Sequence, residues 1–114
     1  MIYIKLFEDY YSELSERRKK IYYSALYLEN EQPITKEEGF IECEYGESDI
    51  ISFYFRYDTS EDSFIKFENF LEDNKLQIFS DTQGKSSYEI RVKLSDYKLN
   101  KYSEIYKNIT KYNL

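Results

Sequence analysis

The sequence predicts an α+β fold: an antiparallel sheet of four strands in two hairpins, five strands if the opening residues add one, with helices packed on one face. The order is helix-strand-strand-helix-strand-strand-helix. Three observations lead there. Four short segments alternate apolar and polar residues with a period of two, the pattern of half-buried strands. Three longer segments carry apolar residues three and four apart, the pattern of amphipathic helices. The 114 residues include one proline and three glycines, which leaves little for flexible linkers and suits one domain over 1–114.

Ile2, Ile4 and Leu6 alternate with Tyr3 and Lys5, so a short first strand is an expectation. Phe7, Tyr10, Tyr11, Leu14, Ile21, Tyr22, Ala25 and Leu26 then form one helical stripe, predicting a helix over about 8–29. The stripe is interrupted at Arg17 and Arg18, whose stems can lie along the surface. The only proline, Pro33, marks the connection that follows.

The first hairpin sets Ile41, Cys43 and Tyr45 against Ile51, Phe53, Phe55 and Tyr57, with the turn near Gly46–Asp49. Directly paired residues share a face, and both apolar sets are odd-numbered. The connection must therefore have an odd length, with three residues the simplest. An even one would place Glu42 and Glu44 beside Phe53 and Phe55. In the odd register Glu42 opposes Tyr54 and Glu44 opposes Ser52. Thr59 or Ser60 can cap the next helix, with Glu61 and Asp62 at the positive end of its dipole. Phe64, Phe67, Phe70 and Leu71 are its buried stripe, and it should end near Asn74.

The second hairpin pairs Leu76 and Ile78 with Tyr88, Ile90, Val92 and Leu94 across a turn at 81–85, where Gly84 could adopt a positive φ. Even-numbered apolar positions on both strands again ask for an odd connection. Ser95 can cap a last helix with Leu99, Tyr102, Ile105, Tyr106, Ile109 and Tyr112 on its inner face.

Charge is unevenly spread. Residues 31–74 hold thirteen acids and three bases, whereas 75–114 hold four acids and eight bases, within a net charge of −6. The acidic middle favours a basic partner. No histidine is present, which removes the commonest general base and metal ligand and the Ser-His-Asp arrangement. Gly39, Gly46 and Gly84 are isolated, so there is no glycine-rich phosphate loop. Cys43 falls on the apolar side of its strand and reads as inert. Glu42 and Glu44 are the one carboxylate pair that could serve catalysis. A Glu-x-Glu on a strand is, however, a common solvated face, and helix capping accounts for Glu61 and Asp62. Catalysis, metal and cofactor are therefore not expected.

Lys98, Lys101, Lys107 and Lys111 read as the solvent face of an amphipathic helix; the acidic balance disfavours direct nucleic-acid contact. No stretch approaches the roughly 18 apolar residues of a membrane span. No signal peptide is evident, and the single cysteine cannot form an internal disulfide, which together favour a reducing cytoplasm.

The expected functional surface is acidic and aromatic: Glu42, Glu44, Tyr45, Glu47, Asp49, Tyr54 and Arg56. It fits a stoichiometric inhibitor or antidote that blocks a basic protein, with a nuclease the natural target. Bacterial immunity proteins and phage anti-restriction or anti-CRISPR proteins share this size and charge, and nothing more specific links them to this chain. The alternative is a structural or adaptor subunit, a homodimer or a component of a larger assembly, joined through a sheet edge or the first helix.

Overall fold

The computed structural model describes residues 2–46 and 49–112, with side chains described for 16–46 and 49–109. Its elements run α1 (Ile2–Glu31), β1 (Phe40–Tyr45), β2 (Ile50–Arg56), α2 (Glu61–Asp73), β3 (Ile78–Gln83), β4 (Ser87–Lys93) and α3 (Asp96–Tyr112). The sheet is antiparallel in the order β1-β2-β4-β3. The α+β architecture and the alternation of two hairpins with three helices are those the sequence predicts.

The expected strand at residues 2–6 is instead the beginning of α1, so the sheet has four strands. The short alternation there runs straight into helical spacing, and no glycine or proline intervenes before Pro33 to end a helix. A continuous helix satisfies its own backbone, whereas a strand of five residues would need a neighbour. From residue 21 onward, α1 buries Ile21, Ala25 and Leu28.

The two hairpins meet along β2 and β4. The odd apolar residues of β2 face the even apolar residues of β4: Ile51 pairs with Val92, Phe53 with Ile90 and Phe55 with Tyr88. This seam creates one continuous apolar face. Phe67 and Leu71 of α2, Leu99 and Tyr102 of α3, and the buried residues of α1 complete the core against it. Phe67 lies at the centre, edge-on to Phe53 at 5.0 Å and to Phe55 at 4.8 Å between ring centroids. Such edge-to-face pairs add to the burial of a large apolar area.

In the first hairpin, Tyr45 pairs with Ile51, leaving an odd connection of five residues in place of three. Glu42 opposes Tyr54 and Glu44 opposes Ser52, as the burial argument requires. One expectation fails. Ile41 is not a core residue: the register shifts between Phe40 and Glu42, so Ile41 bulges out and Phe40 is buried in its place. A bulge re-aims the side chains before it by one position.

The second hairpin departs further. β3 continues to Gln83, through much of the expected turn, and the Gly84 N–H donates to the Ser87 carbonyl at 2.8 Å, closing a two-residue connection. That even length reverses the parity argued from the apolar residues. A second register shift, between Ile78 and Ser80, restores it, so that Ile78 still faces Val92. Gly84 does not use a positive φ; among the described residues that conformation falls to Gly39 (φ 128°) and Lys75 (φ 54°). Gly39 is constrained twice, because a Cβ there would lie 2.0 Å from Thr59 Oγ1.

α1 runs past both expected ends, 8 and 29, whereas the caps of α2 and α3 follow expectation. Ser60 caps α2, its Oγ accepting from the Ser63 N–H at 3.2 Å, and Asn74 closes the other end. Ser95 accepts from the Lys98 N–H at 3.2 Å at the start of α3. Among the described residues, no helix is long and apolar enough to cross a membrane.

Candidate protein-binding surface

The face of the sheet opposite the core is polar because strand alternation sends every second residue there. The pairing arranges these residues in rows. Glu42, Tyr54, Glu89 and Thr82 form one row across all four strands; Glu44, Ser52, Arg91 and Ser80 form the next. The seam thus brings Glu89 and Arg91 of β4 beside Tyr54 and Ser52. The local sequence could not reveal this, because the β2–β4 pairing is non-local. The available signal was the alternation of Glu89, Arg91 and Lys93 with Ile90, Val92 and Leu94, together with the opposite parity of the apolar residues in β2.

Tyr54 occupies the middle of its row. Its hydroxyl donates to Glu89 Oε2 at 2.6 Å. Glu89 also holds Arg91, with Nε to Oε1 at 3.2 Å. The hydrogen bond to Glu89, followed by burial and the nearby Glu44 and Glu89 charges, pushes the Tyr54 phenol above its ordinary value. The same bond from Tyr54, aided by Arg91 and Ser52 and opposed by burial, holds Glu89 below the usual carboxylate value. Tyr54 is therefore a fixed neutral donor and Glu89 a satisfied anion.

Glu42 and Glu44, at the β1 edge, are in the opposite situation. Both are exposed, and neither has an ion-pair partner among the described residues. A hydrogen bond shared with Glu44, then burial, then the charges of Glu44 and Glu29 push the Glu42 carboxyl above its ordinary value. No cation among the described residues pairs with the negative charge at this edge.

The other expected site residues divide. Asp49 is taken up internally: Arg17 Nη2 contacts both its oxygens, at 2.6 and 2.7 Å, and its carbonyl accepts from the Leu94 N–H. Arg56 shares the sheet face but is tied down at its end, to Asp58 at 3.2 Å and to the Glu37 carbonyl. It lines a shallow polar cleft of about 540 Å³ with Glu37, Glu38, Asp58, Asp62 and Lys66. Tyr45 points to the other side of β1, paired with Ile51 and edge-on to Tyr22 of α1 at 5.2 Å. Glu47 lies outside the described residues. The structure therefore brings together Glu42, Glu44, Tyr54 and Arg56 on one face and separates Tyr45 and Asp49 from them.

Cys43 is half-buried on the apolar side, with Sγ 3.8 Å from the Ala25 carbonyl. Burial, then the charges of Glu29, Glu44 and Glu42, push its thiol up. That disfavours the thiolate a nucleophile needs. Two of the α3 lysines are engaged by the fold: Lys98 donates to the Asn74 carbonyl and lies over the Tyr102 ring, and Lys107 lies over Tyr23. Among the described residues, no group of three or more Cys, Asp or Glu side chains could hold a metal ion.

No protein-family model matches the chain, and no curated protein or solved structure matches it.

Proposed function

We propose that the chain is a stoichiometric protein-binding inhibitor or antidote that blocks a basic nucleic-acid-handling protein, such as a nuclease. The observation that carries this reading is the exposed Glu42–Glu44 pair, whose mutual repulsion no cation among the described residues relieves. A lysine or arginine from a partner would relieve it, and an arginine can bridge two carboxylate oxygens at once. Tyr54 beside the pair supplies an aromatic anchor whose ring is already ordered by its bond to Glu89. Neither carboxylate lines either described cleft, which suits docking better than catalysis. Toxin-neutralising immunity proteins and phage anti-defence proteins are the functional classes in view, and a cytoplasmic setting goes with them.

The test uses full-length chain as bait at 50 mM and 500 mM salt, followed by kinetics with the captured partner. Association should slow steeply with salt, because steering is screened over about 8 Å at physiological ionic strength. Glu42→Lys with Glu44→Lys should abolish capture and restore the partner's nuclease activity. A captured partner that binds at a salt-independent rate, or equally well after both reversals, overturns the proposal. The adaptor reading keeps one supporting observation, the outer sides of β1 and β3, which have no strand partner among the described residues. It would leave assembly intact after the same two reversals.

A further inference from the structure

The opposite edge of the sheet has a different character. β3 is the outermost strand beyond β4, so its far side has no strand partner among the described residues. It exposes two large apolar side chains in succession, Ile78 at 44% and Phe79 at 56%. The register shift between Ile78 and Ser80 takes Phe79 out of the ladder. Beside them is a groove of about 400 Å³ lined by Gln77, Ile78, Phe79, Lys93, Leu94 and Ser95. Lys93 has no ion-pair partner among the described residues. Apolar surface, a strand edge without a partner and an unpaired cation all fall within a few residues.

We propose that the β3 edge is a docking site for an extended segment of a partner protein. That segment adds as a fifth strand, sets an apolar side chain into the groove beside Phe79 and places a carboxylate against Lys93. Backbone pairing at a sheet edge supplies affinity, and side chains at alternate positions supply selectivity. Charge fixes the choice of occupant. Lys75 precedes β3, Lys85 follows it and Lys93 lines the groove, against one acid on the strand itself, Asp81, and an acidic, apolar strand complements them. A second copy pairing through the same edge would bring two sets of Lys75, Lys85 and Lys93 together, which like-charge repulsion opposes. The site lies across the sheet from Glu42 and Glu44, so it stands or falls independently of the proposed inhibitor surface.

The experiment pans a displayed library of random nine-residue peptides on immobilised full-length chain, then measures the enriched peptide, synthesised with a fluorophore, by anisotropy. Enriched sequences should alternate apolar residues and include an Asp or Glu. The peptide should shift the backbone amide resonances of Ile78–Gln83. Phe79→Glu and Lys93→Glu should each weaken it at least about tenfold, as expected for a central anchor. Both positions are exposed, so each variant should keep the parent's circular dichroism and melting temperature. Failure to enrich any peptide overturns the proposal. So do shifts confined to other elements, or unchanged affinity in Lys93→Glu. Sedimentation showing a dimer that Phe79→Glu dissociates would assign the edge to self-association and also overturn it.

Discussion

Tyr54→Phe isolates one hydroxyl at the centre of the polar sheet face. The ring stays, so packing changes little, and the 2.6 Å bond to Glu89 is lost. A hydrogen bond to a charged group contributes about 1.5–3 kcal/mol net. The Glu89 side chain is 17% exposed and retains Arg91, which puts the expected loss at the lower end, about 1.5 kcal/mol. At roughly 4 °C per kcal/mol for a domain of this size, the melting temperature should fall by about 6 °C. The pH dependence separates this cause from others. Glu89 is held below its ordinary value in the fold, so its contribution is present above the unfolded carboxylate value and lost as pH falls through the depressed folded one. Tyr54 is pushed up, so its contribution is present below the unfolded phenol value and lost as pH rises beyond it. Urea unfolding of parent and variant at pH 7 and pH 3 should therefore show a difference that narrows at pH 3. A difference of the same size at both pH values would refute the role of the Glu89 charge.

Gly39→Ala should be more damaging than a turn position suggests, because Gly39 is buried and the change combines backbone strain at φ 128° with a 2.0 Å clash on Thr59. The two effects together are expected to cost about 3 kcal/mol, read as a fall in melting temperature, with partial recovery when Thr59→Ala is added. Cys43 should react with Ellman's reagent at pH 8 at least about tenfold more slowly in the folded chain than in urea, since burial raises its thiol and blocks access. Equal rates would show that the strand opens readily.

Part of this was legible in the sequence because burial parity is a strong constraint. Glu42 and Glu44 could not lie beside Phe53 without burying charge, so the partners of Tyr54 and Ser52 followed from the odd numbering alone. The helix caps at Ser60 and Ser95 were readable for a similarly local reason. Parity fails where a strand bulges. Ile41 and Phe79 each absorb one residue, and nothing in their immediate sequence announces it. Ile2, Ile4 and Leu6 illustrate another limit, in which three alternating residues could not outweigh a helix continuing from them. The neutralisation of Asp49 by Arg17, 32 positions away, and the arrival of Glu89 beside Tyr54, 35 positions away, are tertiary facts that no local pattern contains.

The seam between β2 and β4 joins two pieces of chain that are complementary in more than shape. Residues 1–74 contain β1, β2 and α2, and residues 75–114 contain β3, β4 and α3. The first piece carries eighteen acids and eight bases, the second four acids and eight bases. Each piece leaves one apolar strand without its neighbour, since Phe53 lies beside Ile90 and Ile51 beside Val92 across the seam. A chain cut after Asn74 would thus yield two fragments of opposite charge, each exposing the apolar strand the other lacks. Their reassembly would be drawn by long-range attraction and completed by burial, so the molecule behaves as an internal complex whose two halves happen to share one backbone.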